Sequence, residues 1–271
     1  MLKIVVLTDN NTITDRYYLG EPALSLYVEV DGLKILFDTG YSDVFIKNAQ
    51  KADIDLASVD FIVLSHGHND HTGGLRFYID YFKNKKHFPK IIASPDVFKQ
   101  RYDEEGEFGC PVEKEEVEKT FQVIYSKQPF VLSNDVVFLG EIPRCTNFEA
   151  NASTGFLKDT NEPDFVTDDS ALVIKQGDGI VILTGCSHCG IVNICEYAKK
   201  ICNAEKISSI IGGLHLKDSD FNQIEKTVDY LQSLNLKELY ACHCTGFEAQ
   251  CRLKTRVNLR ETGSGLCICF N

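Results

Sequence analysis

The sequence predicts an α+β fold in which two mixed β-sheets pack face to face and helices cover their outer sides. Strand-length apolar segments joined by tight turns dominate the first part of the chain, and strands alternate with helices in the last part. No Pro-, Gly- or Ser-rich linker separates the two parts. We therefore predict a single domain over residues 1–271.

The first half of the chain is rich in hairpins. Strands are predicted at residues 3–7, 24–30 and 33–37, with a turn at Asp31 and Gly32. A helix is predicted over residues 42–52, and an apolar run over residues 59–64 has the length of a strand and stops at Ser65. After a short strand at residues 90–93, Glu and Lys dominate residues 102–120. We expect that charged segment to be an exposed helical or mobile insertion without chemistry.

In the second half, strands end close to candidate ligands. A hairpin over residues 170–183 turns at residues 177–179 and leads to Cys186 and His188. Apolar residues at helical spacing predict a helix over residues 191–202, followed by a strand at 207–211, a helix at 219–233 and a strand at 238–241. His215 and His243 come after those last two strands.

The composition favours an enzyme of small molecules over a partner of nucleic acid or membranes. Of the 271 residues, 44% are hydrophobic and 25% charged, which suffices for a sizeable core. The formal net charge of −11 repels nucleic acid and anionic membranes, so we expect neither as a partner. A phosphorylated substrate would need local positive charge, which a bound metal ion supplies. The sequence leaves the oligomeric state open.

The cysteines and the N-terminal residues indicate a cytoplasmic protein. The eleven cysteines have no regular framework spacing, and the first residues lack the apolar region and cleavage site of a signal peptide. No run approaches the roughly eighteen apolar residues of a membrane span. We expect reduced thiols and a cytoplasmic location.

Three imidazoles and one carboxylate fall within six positions, at His66, His68, Asp70 and His71. Zinc prefers such ligands, and iron or manganese can use the same set. His66 and His68 are one residue apart, so an extended backbone points both side chains the same way. Asp70 and His71 follow where the chain can bend toward a second ion. We predict that these residues bind one or two divalent ions, with zinc as the first candidate and iron, manganese or magnesium as alternatives. The alternative interpretation is a histidine-rich surface loop that binds no metal.

This H-x-H-x-D-H pattern after a buried strand, with Asp38-Thr39-Gly40 upstream, resembles the metallo-β-lactamase superfamily. Further motifs narrow the resemblance to the branch of 7,8-dihydropterin-6-methyl-4-(β-D-ribofuranosyl)aminobenzene 5'-phosphate synthases. These motifs are Thr72-Gly73-Gly74, Thr184-Gly185-Cys186-Ser187-His188, Gly212-Gly213-Leu214-His215-Leu216 and His243-Cys244-Thr245-Gly246. The resemblance implies a metallo-hydrolase type of αββα sandwich.

The resemblance also implies which residues bind metal. His66 and His68 would hold the first ion, and Asp70, His71 and His243 the second. Another histidine is usual in the superfamily, but residues 141–183 contain none. His188 is our proposed substitute.

Two further positions stay open. Cys186 stands where many relatives carry a bridging aspartate, and either a metal-bound thiolate or a buried packing thiol suits it. His215 is a metal ligand, a substrate contact or a donor to a ligand.

Weaker signals lie around this set. Asp38, Asp168 and Asp169 could orient a ligand histidine, although a solvated turn explains the last two equally well. The C-x-C pairs Cys242/Cys244 and Cys267/Cys269 are read as packing residues rather than as a separate zinc site. Four cations are candidates for a substrate phosphate, although a surface role is favoured for each: Arg144, Lys158, Lys217 and Arg252. His87 is read as a surface residue.

Three functions compete. A metal pair can lower the pKa of bound water to about 7, which favours hydrolysis of a phosphoester or other ester by metal-bound hydroxide. Asp70 would orient the water, and His188 or His215 would polarise the attacked group. The narrower resemblance implies instead a transferase that joins a dihydropterin methyl diphosphate to an aminobenzene ribofuranosyl phosphate. The third reading is a non-enzymatic metal-dependent sensor.

Overall fold

The chain, described over residues 1–83 and 88–270 of a computed structural model, divides into two compact units. Unit 1 comprises Met1–Ser126, Gly155–Asp164 and Thr262–Asn271, and unit 2 comprises Lys127–Thr154 and Phe165–Glu261. A single domain over residues 1–271 stays a prediction.

Unit 1 contains a seven-stranded mixed sheet in the order β15-β1-β2-β3-β4-β5-β7, and β6 pairs with β10 outside it. The strands are β1 (Leu2–Thr8), β2 (Ser25–Val30), β3 (Leu33–Phe37), β4 (Phe61–Val63), β5 (Lys90–Ala93), β6 (Arg101–Tyr102), β7 (Val123–Tyr125), β10 (Phe156–Leu157) and β15 (Cys267–Phe270). β3, β4, β5 and β7 run parallel. The carboxyl ends of β3 and β4 therefore meet at one edge of the sheet.

The helices of unit 1 are α1 (Val44–Lys51), α2 (Asn69–Thr72), α3 (Leu75–Phe82) and α4 (Lys114–Thr120). In α3, Leu75, Tyr78 and Phe82 recur at helical spacing, so all three face the core. Apolar side chains of β4 and β5 lie in the same cluster as these residues. This core supports the loop that follows β4.

Unit 2 contains a six-stranded mixed sheet in the order β14-β13-β12-β11-β9-β8. Its strands are β8 (Phe130–Ser133), β9 (Val136–Phe138), β11 (Ala171–Gln176), β12 (Gly179–Thr184), β13 (Ile207–Gly213) and β14 (Glu238–Cys242), and its helices are α5 (Ile191–Cys202), α6 (Phe221–Ser233) and α7 (Phe247–Lys254). β12, β13 and β14 run parallel. Three chain segments consequently leave the sheet at the same edge.

Most predicted elements are confirmed. The strands at residues 33–37 and 90–93 and the helix at residues 191–202 have the predicted bounds. The strand predicted over residues 59–64 is shorter, Phe61–Val63, because a 3-10 turn at Leu56–Ser58 precedes it. Across residues 1–83 and 88–270, no helix has the length and apolar character needed to cross a bilayer.

The charged segment at residues 102–120 is partly as predicted, because its charged side chains are exposed and α4 is helical, but it also contains buried apolar residues. Cys110, Val112 and Val117 are buried in the core cluster of unit 1. They are the apolar residues among the charges, and their burial orders the segment. Its charged side chains face outward, as does Pro111.

Candidate metal centre

The histidine motif of unit 1 lies on the loop that follows β4, as predicted. His66 and His68 are buried in extended backbone, and α2 then carries Asp70 and His71. The ring of His66 lies 4.5 Å from that of His68 and 4.3 Å from that of His71, between ring centroids. The structure therefore brings the three predicted imidazoles into one cluster.

Asp38, at the end of β3, anchors this cluster. Its carboxylate accepts hydrogen bonds from Ser65 N and Ser65 Oγ at 2.7 Å each, and lies 2.7 Å from His71 Nδ1. Ser65 Oγ in turn lies 2.9 Å from His66 Nδ1. Because Nδ1 of both rings is engaged in this way, Nε2 is the atom that each could offer to a metal. Asp38 thus has the predicted orienting position.

A buried ion pair lies beneath the loop. Arg101 Nε donates to Asp164 Oδ2 over 2.6 Å, and both side chains are almost fully buried. A Cβ at Gly67 would lie 2.0 Å from Val97 O and 2.1 Å from Arg101 Nη1. Only glycine therefore lets the chain pass between His66 and His68 so close to the guanidinium.

The charged segment also touches the motif. Phe108 O accepts a hydrogen bond from Asn69 N over 2.8 Å, and the Phe108 ring meets His68 edge-on at 4.9 Å. A cavity of about 380 Å³ opens here, lined by Pro22, Tyr41, His68, Asn69, Asp70 and Phe108. Phe108 of the charged segment therefore contacts the motif, which the sequence did not indicate.

In unit 2 the candidate ligands leave three parallel strands at one edge. Cys186 and His188 follow β12, His215 follows β13, and His243 follows β14. Cys186, His188 and His215 each present one ligand atom, and these atoms lie within 4.8 Å of one another. The rings of His188 and His215 lie 4.1 Å apart. This spacing matches a set of groups that could converge on one ion.

Left-handed backbone recurs where these ligands are presented. Ser187, His215 and His243 have φ values of 64°, 51° and 52°, and Asp38 in unit 1 has 57°. Such a conformation costs on the order of 1–3 kcal/mol in a residue other than glycine and persists where the surroundings impose it. At these four residues the backbone is therefore held in a conformation that sets the direction of the side chains.

Cys244 contacts two members of this set, which the sequence did not indicate. Its Sγ accepts a hydrogen bond from His215 N over 3.3 Å and donates to Cys186 O over 3.4 Å. Burial raises the pKa of the Cys244 thiol, but side-chain hydrogen bonding with Cys186 and His215 and the charge of His243 outweigh it, so this pKa lies well below its usual range. Desolvation lowers the pKa of His215, but hydrogen bonding to Cys244 and the charge there outweigh it, so the net shift is upward.

Unit 2 also contains the two aspartates that the sequence predicted as residues orienting a ligand. Asp168 and Asp169 are buried, which excludes the solvated turn, and Asp169 Oδ2 accepts a hydrogen bond from Cys189 N over 2.8 Å. Burial raises the pKa of Asp169 to about 6. Thr154 Oγ1 lies 3.4 Å from His188 Nδ1. This contact leaves His188 Nε2 as the ring atom directed to a metal.

The two C-x-C pairs differ in their exposure to solvent. Cys242 is buried, as expected of a packing residue. Cys267 and Cys269 are exposed on the edge strand β15, so the packing role predicted for them is wrong. Among the described residues, which include all eleven cysteines, none forms a disulfide. His87 lies outside the described residues.

The sequence comparison settles the family of this architecture. The model of the metallo-β-lactamase superfamily matches residues 19–243. The chain belongs to the metallo-β-lactamase superfamily. Its predicted α+β class, with two mixed sheets and helices, is that of the superfamily and is confirmed. As a member, the chain is a metal-dependent enzyme whose His, Asp and Cys residues form metal-binding groups.

Two proteins of this superfamily are similar over nearly the whole chain. The 7,8-dihydropterin-6-methyl-4-(β-D-ribofuranosyl)-aminobenzene-5'-phosphate synthase of Methanocaldococcus jannaschii is 36% identical over 265 residues, which cover 92% of this chain and 89% of that protein. The crystal structure of a metal-dependent hydrolase of the β-lactamase superfamily aligns with a TM-score of 0.83 and 29% identity, covering 99% of this chain and 98% of that one. The predicted resemblance to the synthase branch is confirmed.

Proposed function

We propose that this superfamily member is a metal-dependent hydrolase that cleaves a phosphoester or other ester of a small molecule. The observation that carries the proposal is the donor set of unit 2, where Cys186, His188 and His215 present ligand atoms within 4.8 Å of one another. The histidine cluster of unit 1 supplies a second set of imidazoles. Both sets consist of the nitrogen, sulphur and carboxylate donors that divalent zinc accepts.

We propose the seven residues of the predicted set as the metal ligands, holding one or two ions with zinc as the first candidate. They are His66, His68, Asp70, His71, Cys186, His188 and His243. When bound, a divalent ion supplies Lewis-acid polarisation and stabilises negative charge that develops on oxygen. Metal analysis of the protein distinguishes zinc from iron, manganese and magnesium.

The side chains have separate tasks in this proposal. Asp38 fixes the orientation of His71, and Asp70 at the wall of the unit 1 cavity orients the nucleophile. His215 lines the cavity of unit 2 beside His188, and these two rings polarise the oxygen of the group under attack. Asp70, His188 and His215 are thus the proposed catalytic residues.

A second candidate function is favoured by the similarity to the M. jannaschii synthase. In that case the enzyme transfers a dihydropterin methyl group to the aminobenzene ribofuranosyl phosphate, and diphosphate leaves. The carbon–oxygen bond to diphosphate breaks, the amine nitrogen of the acceptor forms a bond to that carbon, and the amine loses a proton to the solvent. The same residues would serve either reaction, so the identity of the ligands does not distinguish them.

Product analysis separates the two reactions. The purified metal-loaded protein is incubated with the dihydropterin methyl diphosphate, with and without the aminobenzene ribofuranosyl phosphate, and diphosphate and pterin products are measured. Diphosphate release that is equal with and without the acceptor supports hydrolysis. Diphosphate release that requires the acceptor supports transfer. A fully metallated protein that is inactive here and toward a panel of phosphoesters and other esters would contradict both and favour the sensor.

We also propose a cellular location and a class of substrate. The eleven cysteines, none of which forms a disulfide among the described residues, support a cytoplasmic location. The similarity to the M. jannaschii synthase supports a phosphorylated small molecule as the partner. Fractionation of the native cells tests the location.

A further inference from the structure

A second cavity lies wholly within unit 2. Its volume is about 550 Å³, and the segment that follows β13 forms one wall, from Leu214 to Asp220. Residues 148–154 form another wall, and His188 and Cys244 complete the lining. A ligand in this cavity would therefore contact the same histidines that are proposed to act in catalysis.

The four cationic residues that the sequence offered for a substrate phosphate differ in their contacts. Three are engaged elsewhere: Arg144 donates to Ala150 O and Phe165 O, Lys158 pairs with Glu107, and Arg252 lies 3.9 Å from Glu225. Lys217 lines the cavity and, among the residues that the structure describes, is the one lysine or arginine in its lining. In the described part of the chain, no carboxylate lies within ion-pair distance of the Lys217 ammonium.

The backbone of Lys217 is fixed against the site. Leu216 N and Lys217 N both donate to Cys244 O over 3.1 Å, and Ser219 Oγ donates to His215 O over 3.3 Å. Gly246 has a φ of 74°, and a Cβ there would lie 2.7 Å from the Cα of Lys217. Only glycine lets the two segments approach so closely. The position of Lys217 relative to His215 and Cys244 is therefore set by the fold.

The described lining also contains three carboxylates, and backbone N–H groups bind two of them. The Glu149 carboxylate accepts hydrogen bonds from Val192 N and Asn193 N, and Asp220 caps α6 by accepting one from Gln223 N over 2.8 Å. The thirteen-residue helix α6 directs its amino end toward this region, which favours negative charge nearby. Exposed Asp218 is the one lining carboxylate with no such contact, and its charge opposes an anion.

We propose that Lys217 determines specificity by binding a phosphomonoester group of the substrate in this cavity. The ammonium supplies charge and three donors, and Ser153, whose hydroxyl is a further donor, belongs to the same lining. This inference rests on the proposed function, since it places the phosphate beside the residues that act on the rest of the substrate. It predicts that phosphate on the substrate raises affinity through a residue outside the ligand set.

Calorimetric titration of the metal-loaded protein with ribose 5-phosphate, and with ribose as the uncharged probe, tests this role. Lys217→Ala should weaken ribose 5-phosphate binding about tenfold and leave ribose unaffected. Asp218→Asn should strengthen ribose 5-phosphate binding, because it removes the opposing charge. Lys206→Ala is the matched control, since Lys206 is an exposed lysine of unit 2 that pairs with Asp178 outside the cavity. Metal content and thermal unfolding of each variant should equal those of the wild type.

Three results would overturn the inference. They are no ribose 5-phosphate binding by the wild type, Lys217→Ala binding within twofold of the wild type, and an equal loss of ribose 5-phosphate binding in Lys206→Ala. The readout is affinity rather than turnover. A wild-type protein that takes up no metal or turns over no ester would contradict the proposed function, whereas the Lys217 comparison is still decided by the titrations.

Discussion

The two units present their candidate ligands in contrasting ways. In unit 1 the ligands occupy positions 66–71 after a single strand. In unit 2 they come from the ends of β12, β13 and β14, and only the parallel register of those strands brings Cys186, His188 and His215 within 4.8 Å. A contiguous set depends on local backbone geometry, whereas a dispersed set depends on the whole sheet.

The histidines are also held differently. A buried carboxylate contacts His71 Nδ1 at 2.7 Å in unit 1, whereas a threonine hydroxyl lies 3.4 Å from His188 Nδ1 in unit 2. Hydrogen bonds to charged groups are stronger than those between neutral groups. We therefore expect ligand orientation in unit 1 to be more sensitive to mutation.

The largest effect is expected for His68→Ala. Removing a ligand of the contiguous set should lower metal content and reduce turnover by at least about 100-fold, with little unfolding. Metal analysis, turnover and thermal denaturation measure the three quantities. His87→Ala, a histidine outside the predicted ligand set, is the control. An active and fully metallated His68→Ala protein would refute the ligand assignment.

Asp164→Ala tests how the loop of unit 1 is supported. The change leaves the buried Arg101 guanidinium without its carboxylate, which should lower the free energy of unfolding by about 3–5 kcal/mol. Denaturant titration measures it. Asp159→Ala alters an exposed aspartate of the same segment and should change that free energy by less than about 0.5 kcal/mol. Equal effects of the two variants would show that the ion pair does not support the loop.

Asp38→Asn should weaken metal affinity by about 10- to 100-fold. Asparagine has the size of aspartate, but its side-chain NH₂ group is a donor. It cannot accept the hydrogen bonds that the Asp38 carboxylate oxygens accept from Ser65 and His71. Competition with a metal chelator gives the affinity. Exposed Asp43, which pairs with Lys47, provides the control Asp43→Asn. Unchanged affinity in Asp38→Asn would remove the argument that this carboxylate orients a ligand.

The smallest effect is expected for Thr154→Val. Loss of a long, neutral hydrogen bond to His188 should weaken metal affinity by less than about tenfold. The same chelator competition measures it. A loss as large as that in Asp38→Asn would show that both units orient their histidines equally strongly, and the proposed contrast would fail.

The same contrast explains what the sequence could reveal. The ligands of unit 1 were predictable because their spacing is a local property, and Asp38 was found through the resemblance of its motif. His215 and His243 could be placed at strand ends, but the role of His215 stayed open because several parallel strands had to be in register first.

Other residues had no local signal. Arg101 reaches the motif only through tertiary packing against Gly67, and Phe108 lies in a segment whose charge suggested exposure. Cys244 was read as a packing thiol because its contacts come from the segments after β12 and β13. Cys267 and Cys269 were misread because an apolar strand at a sheet edge still exposes one face.

The hairpin between β11 and β12 has a practical consequence for handling the molecule. Its turn at Gly177 and Asp178 lies at the opposite end of β12 from Cys186, and six residues of strand separate them by about 20 Å. A Cβ at Gly177 would meet no atom within 4 Å, but its φ of 61° favours glycine, so a label belongs beside Gly177 in the turn. A fluorophore or fusion tag grafted there would report on the enzyme while leaving its chemistry untouched.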